Sequence, residues 1–251
     1  GLTHEYFSAV LDSFKVEAEK RGYDITFINH NISGKSMSYL EHCHYRGVDG
    51  VVIACVNFYD PQVVELVNGD VPVVTIDHVF NNRMAILSDN VAGTKALVQQ
   101  AWACGHRRIA FIHGEKTSVT ENRIAGFYQA CEELGLEIPE EYVRDGVYHD
   151  VERCAEETRA LLALPQRPTC IIFPDDFSAL GGYNALSEAG LSIPEDISVM
   201  GYDGIYLSRV MKPQLVTWQQ NTRMLGRMAA DKLVQMLSLI HISEPTRPLY
   251  I

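Results

Sequence analysis

Apolar positions along the chain fall into two alternating periods, and the alternation predicts helices and strands in regular succession. Leu2 to Arg21 places Phe7, Val10, Leu11, Phe14 and Ala18 on one helical face stopped at Gly22, and Ile25–Asn29 follows as a strand. The same unit recurs as helix 35–46, strand Gly50–Ala54, helix 61–68, strand Val73–Ile76, helix 90–104 and strand Ile109–Ile112, with Gly47, Gly69 and Gly105 at the joins. A second series predicts helix 119–134, a short strand Val143–Val147, helix 151–164, strand Thr169–Phe173, helix 176–189, strand Ile197–Met200, strand Leu215–Thr217 and helix 221–237. The strands are continuous apolar runs without polar alternation, the pattern of strands covered by helices on both faces. The expected fold class is α/β, with two doubly wound parallel-sheet lobes. The sequence places their boundary near Gly114–Ser118, where the lack of a Pro- or Ser-rich linker points to packed lobes and a hinge.

Composition acts mainly by exclusion. The 251 residues are 47% hydrophobic and 21% charged, which excludes disorder and fibrous repeats. Apolar runs such as Val51–Val56 and Cys170–Pro174 fall far short of the about 20 residues a bilayer span requires, so no membrane segment is expected. A formal net charge of −11 argues against this segment gripping DNA, because a phosphate-binding surface needs clustered Lys and Arg. The six cysteines (Cys43, Cys55, Cys104, Cys131, Cys154, Cys170) are scattered, several in apolar strand or helix patterns, and read as inert reduced thiols of a cytoplasmic protein.

Candidate chemistry gathers at the strand ends, where doubly wound sheets bind ligands. Those ends carry Asn29-His30, Asp77-His78, His113-Gly114, Pro174-Asp175-Asp176 and Gly201-Tyr202-Asp203. Carboxylates and amides beside aromatic rings suit a polyhydroxy ligand, although Asp175, Asp176 and Asp203 could equally serve as helix caps. The dinucleotide fingerprint, the phosphate-loop lysine motif, the nucleophile elbow and the zincin helix are all missing from the sequence, and no catalytic role, cofactor or metal is expected. His113-Gly114-Glu115-Lys116 lacks the second glycine of a phosphate loop. His42, Cys43 and His44 diverge by about 100° per residue on a helix, so they are read as a solvated helix face and not as metal ligands. Asp175 and Asp176, as neighbours at a strand end, point to different sides and make a poor acid–base pair.

From Arg123-Ile-Ala-Gly-Phe127 outward, the chain resembles the lactose- and galactose-repressor family of transcription regulators. The ordered landmarks are Tyr6-Phe7, Gly47-Val-Asp-Gly-Val-Val-Ile53, Asp89-Asn-Val-Ala-Gly93, Gly105-His-Arg-Arg-Ile-Ala-Phe-Ile112, Ser118-Val-Thr120, Arg167-Pro-Thr169 and Ile193-Pro-Glu-Asp-Ile-Ser-Val-Met-Gly-Tyr-Asp203. The resemblance implies a periplasmic-binding-protein-like core of type I: an amino-terminal lobe over 1–115, to which helix 221–236 returns, and a carboxyl-terminal lobe over 116–217. It implies a small-molecule effector, a carbohydrate by its chemistry, held between the lobes by Tyr6, Phe7, Ser118, Thr120, Arg123, Tyr148, Asp175, Asp203 and Gln220. Arg123 resembles the arginine that hydrogen-bonds the effector, Asp203 the carboxylate that anchors it, and Tyr148 a stacking aromatic. It further implies a homodimer that reaches operator DNA through a helix-turn-helix preceding the core.

Asp175 departs from the pattern, which often has Asn there, and so offers acceptors where an amide would also donate. The chain is read as a fragment, lacking the helix-turn-helix and the first strand. Leu237–Arg247 resembles a translated sequencing-library adapter, so residues 237–251 are set aside as foreign. The competing reading is a sugar-binding component of a transporter, which uses the same two-lobed design.

Overall fold

Several helices in this chain begin where a side chain accepts one of the first unpaired backbone N–H groups. In the computed structural model, which describes residues 5–29, 31–32 and 35–243, Ser38 and Glu41 form a reciprocal capping box that opens α2 (Tyr39–Arg46). That cap explains why the helix expected from residue 35 starts later, after a short antiparallel pair, β1 (Asn31–Ile32) and β2 (Lys35–Ser36). Asp60 caps α3 (Pro61–Asn68), Asp89 caps α4 (Asn90–Ala103), Thr117 caps α5 (Ser118–Glu133) and Asp150 caps α6 (Val151–Leu162).

The chain divides into two compact units, Gly1–Ser88 with Asn221–Ile251 and Asp89–Gln220. In the first, α1 (Glu5–Lys20) packs along α9 (Thr222–Ser243), and a Cβ at Gly226 would stand 2.3 Å from the Val10 carbonyl oxygen. Helix α9 runs past residue 237 without a break as far as Ser243; residues 244–251 of the segment read as foreign lie outside the described residues. The parallel sheet of this unit has the order β3 (Val51–Ile53), β4 (Val73–Ile76), β5 (Met84–Ile86). The strand expected at Ile25–Asn29 does not form, because an apolar pattern alone supplies no ladder partner and this sheet pairs β3 only with β4. The segment instead borders an apolar cavity of about 650 Å³ lined by Phe7, Phe14, Ile25, Phe27, Ile53 and Leu233 among others.

The second unit carries a five-stranded, wholly parallel sheet in the order β10 (Val216–Gln219), β9 (Ser198–Asp203), β8 (Cys170–Ile172), β6 (Ile109–His113), β7 (Val143–Asp145). Alternate strand residues reach opposite faces, and both faces are apolar. Ala110, Ile112 and Ile171 pack with Leu161 and Leu186 on one side. Ile109, Phe111 and Ile172 pack with Val98 and Phe127 on the other. This two-sided core answers the unalternating strand pattern in the sequence. Two further helices, α7 (Ala179–Glu188) and the single-turn α8 (Tyr206–Val210), complete the unit.

Three expectations need correction. The boundary between units falls at 88/89 and 220/221, not near Gly114–Ser118. The reason is that α4 packs on α5, where a Cβ at Gly126 would lie 2.5 Å from the Val91 carbonyl oxygen, and β6 pairs with both β7 and β8. The helix face bearing His42 is not solvated there: His42 is 1% exposed, its Nδ1 lies 2.9 Å from the Asn29 amide nitrogen, and Arg46 Nε donates to its Nε2. Among the described residues no cluster of His, Cys, Asp and Glu is arranged to hold a metal. The cysteines are all free thiols, but Cys55 and Cys104 are exposed, unlike the other four. No described helix is long and apolar enough to cross a membrane.

The closest helix crossing gives a direct test. A Cβ at Gly181 in α7 would lie 2.1 Å from the Val151 carbonyl oxygen and 2.7 Å from the Ala155 nitrogen of α6, both immovable backbone atoms. Gly181→Ala is expected to cost about 1–3 kcal/mol of stability, read as a lowered urea midpoint.

Candidate functional site

Because all five strands of the second unit run parallel, their carboxyl ends lie along one edge of the sheet, and the polar residues expected from the sequence follow those ends. Residues 114–115 leave β6, 146–149 leave β7, 174–176 leave β8, Asp203 closes β9 and Gln220 follows β10. Helix α5, entered from β6, supplies Ser118, Thr120 and Arg123 from its first two turns.

Arg123 is the organising side chain. It is only 5% exposed, its Nε donates to Asn90 Oδ1 at 2.9 Å, and its Nη1 donates to the Pro174 carbonyl at 2.7 Å. The guanidinium lies flat on Tyr202, 3.5 Å from the ring centroid, and 5.6 Å from that of Tyr148. Tyr148 shares a 2.8 Å hydrogen bond with Thr120 Oγ1, which donates to the Glu115 carbonyl at 2.6 Å. Its ring occupies the space above Gly114, where a Cβ would come within 2.1 Å of a ring carbon. Burial raises the phenol's pKa, against the pull of the Arg123 charge.

Asp203 sits at φ 108°, a backbone region that a non-glycine residue seldom occupies, and Gln220 holds it there. The Gln220 amide donates to the Asp203 carbonyl at 3.0 Å, and its Nε2 donates to Asp203 Oδ1 at 2.7 Å. Burial pushes the Asp203 carboxyl from an ordinary 3.8 up to about 8; Arg123 opposes the rise, and the charge of Asp175 adds to it.

The adjacent aspartates diverge as expected. Asp175 accepts from the Ser178 and His149 amides at 2.8 and 2.9 Å, with His149 Nδ1 3.4 Å away. Asp176 accepts from the Ile205 amide at 2.9 Å and from the Thr217 hydroxyl, tying β8 to the neighbouring strand ends. It is fully buried, burial raises its pKa to about 6, and a Cβ at Gly201 would lie 2.3 Å from its Oδ1.

In the first unit Tyr6 donates to Asp77 Oδ2 at 2.7 Å at the carboxyl end of β4. Phe7 does not join it, being one residue further round α1 and on the wall of the apolar cavity. His30 lies outside the described residues. The structure thus brings Thr120, Tyr148 and Arg123 into one contact group and bonds Gln220 to Asp203, with Arg123, Asp203 and Asp175 close enough to act on one another through charge. Ser118 stands in the same helical turn as Thr120. Sequence reasoning passed over Asn90, Glu115 and His149 as site residues. Asn90 lay within the quoted Asp89–Gly93 landmark, but its link to Arg123 spans 33 residues.

The family described as periplasmic binding proteins and the sugar binding domain of the LacI family matches residues 1–251. The HTH-type transcriptional repressor PurR of Haemophilus influenzae is 31% identical over 242 residues, covering 93% of this chain and 70% of the repressor. The chain belongs to the LacI family. Among solved LacI-family structures, a regulatory protein from Chloroflexus aggregans is 27% identical with a TM-score of 0.80, covering 92% of this chain and 84% of its own. A LacI-family transcriptional regulator from Enterococcus faecium, with bound ribose, is 26% identical with a TM-score of 0.81, covering 97% of this chain and 90% of its own. The LacI-family core described above is therefore the effector-binding part of a transcription regulator. The transporter alternative falls, because the curated relatives are repressors.

The Asp203 carboxyl makes the stability of this LacI-family core depend on pH with a definite sign. With a folded pKa of about 8 against an ordinary 3.8, the folded chain keeps a proton that the unfolded chain has released. The stability contributed by that proton is complete below about pH 4 and is lost as pH rises through 8. Relative to Asp203→Asn, the unfolding free energy should fall between pH 5 and 8 by at most about 1.4 kcal/mol per pH unit. Urea titrations of both proteins at several pH values measure the difference, and parallel curves would contradict the assignment.

Proposed function

We propose that this LacI-family core senses a carbohydrate at the carboxyl edge of its second-unit sheet, without chemically transforming it, and passes the signal to operator DNA. The observation that carries the reading is the gathering of Arg123, Tyr148, Asp203 and Gln220 at that edge, with Arg123 against the Tyr148 ring, Gln220 bonded to Asp203, and Arg123 and Asp203 close enough to act on each other through charge. It joins a cation, carboxylate oxygens and an amide to an aromatic ring, the mixture that fits hydroxyls and the flat apolar face of a sugar. Ser118 and Thr120 add hydroxyls from α5, and Asp175 adds charge and fixes the His149 backbone; Tyr6, in the first unit, is included through its match to the family pattern. Phe7, facing the apolar cavity, belongs to the site only through its match to the family pattern. The ribose bound by the Enterococcus faecium relative supports a sugar over other small molecules.

The mechanism is a population shift: effector binding favours one arrangement of a homodimer and changes how it presents two upstream helix-turn-helix headpieces to DNA. Such a regulator works in the cytoplasm.

Calorimetry against a panel of neutral mono- and disaccharides tests the assignment. Arg123→Ala and Asp203→Ala should each weaken binding about tenfold to a hundredfold, as loss of a hydrogen bond to a charged group does, while the thermal transition stays cooperative. Gly114→Ala, whose Cβ would dislodge the Tyr148 ring, should weaken binding with Arg123 and Asp203 intact. Unchanged affinity in both alanine variants would remove the proposed site.

A further inference from the structure

The cluster is rich in acceptors and poor in uncommitted cationic donors, and this imbalance limits what it can bind. Arg123 is the one buried cation there, and its capacity to grip an anion is reduced by the protein itself. The side-on, two-bond grip of a guanidinium on a carboxylate or phosphate uses Nε together with Nη2. Nε has a single N–H, and Asn90 Oδ1 accepts it at 2.9 Å. Nη1 already donates to the Pro174 carbonyl, and the Tyr202 ring covers one face.

Beside this cation stand Asp175, whose charge raises the pKa of both Asp203 and Tyr148, and Asp203, which burial keeps protonated at neutral pH with a pKa of about 8. Glu115 is added on the β6 side, with its Oε2 2.8 Å from the Tyr148 amide. The other basic groups on neighbouring elements are occupied or outward: His149 lies against Asp175, Arg144 and Arg153 bind Glu157, His113 pairs with the exposed Asp145, and Lys116 is exposed on its loop. A phosphate or carboxylate entering such surroundings meets like charge in a site of low dielectric, whereas hydroxyls and amines bring the donors these oxygens require.

We propose that the effector carries no anionic group: the site takes an uncharged or amine-bearing polyol and rejects the phosphate ester or acid of that same compound. The inference rests on the carbohydrate reading above and narrows it.

The test is calorimetry and thermal shift on the full chain with matched sets, such as glucose, glucosamine, glucose 6-phosphate and glucuronic acid, or ribose and ribose 5-phosphate. At least one neutral or amine-bearing parent is expected to bind tenfold or more tighter than its phosphorylated and acidic counterparts. Asp175→Asn should narrow that ratio at least threefold, and if this variant does not fold, the ratio in the unaltered chain still decides. An ester or acid that binds as tightly as its parent overturns the inference and leaves the carbohydrate reading standing. A chain that responds to no member of any set overturns both.

Discussion

Burying the Arg123 guanidinium sets the terms for the surrounding second unit. A cation taken out of water is tolerated only with good partners, and each partner here belongs to a different element. Asn90 opens α4, Pro174 ends β8, Tyr202 lies in β9, and Arg123 itself belongs to α5. One side chain thereby fixes two helices and two strand ends relative to one another. Other features read as accommodations to it. A Cβ at Gly93 would stand 2.3 Å from the Tyr202 hydroxyl and 2.8 Å from Trp218 Nε1, so the ring beneath the guanidinium depends on a bare backbone in α4.

The carboxyl groups nearby show which effect wins. Asp203 has Arg123 close enough to lower its pKa, yet burial dominates and the net direction is upward, to about 8. Coulombic attraction loses because desolvation of the buried carboxyl outweighs the pull of Arg123 and because Asp175 and Asp176 add negative potential. Asp176 shows the same balance in milder form, rising to about 6 despite hydrogen bonds from the Thr217 hydroxyl and the Ile205 amide. Its role is to tie strand ends together, the turn-and-cap role that the sequence already allowed for an aspartate at that place.

How much was legible in the sequence follows from the range of each interaction. Strands β4, β6, β8 and β9 were readable because two-sided burial makes each an unbroken apolar run, and the parallel arrangement followed from the helices between them. The single-turn α8 and the three-residue β5 carry too little pattern to announce themselves. Residues 25–29 carry the pattern of a strand without its partner, and only the sheet order distinguishes the two. Arg123 and Asp203 were found through their place in ordered landmarks, and Tyr148 as the aromatic that the family resemblance implies there. The bonds that give them meaning were not legible, since Arg123 to Asn90 crosses 33 residues and Gln220 to Asp203 crosses 17. His42 misled for the same reason: its helix looks polar, but the backbone of Asn29, thirteen residues earlier, supplies a partner for its buried ring.

The boundary at 88/89 and 220/221 was misplaced because composition does not change there, yet its position bears on how a sensor of this design works. The chain enters the second unit at Asp89 and leaves it at Gln220. Asn90, one residue after the entry, holds Arg123; Gln220, the exit residue, holds Asp203 by both its amide and its side chain. The two groups proposed to meet the effector are therefore bonded directly to the two points where the backbone passes from one unit to the other. A ligand that draws on Arg123 or Asp203 changes the load on Asn90 and Gln220 first. The strained φ of Asp203 is maintained by the same exit residue, so relaxing or tightening that clamp has a backbone consequence as well as a side-chain one. Coupling at the crossings needs no long chain of intermediates, because the groups proposed to meet the effector and the crossing residues are directly bonded.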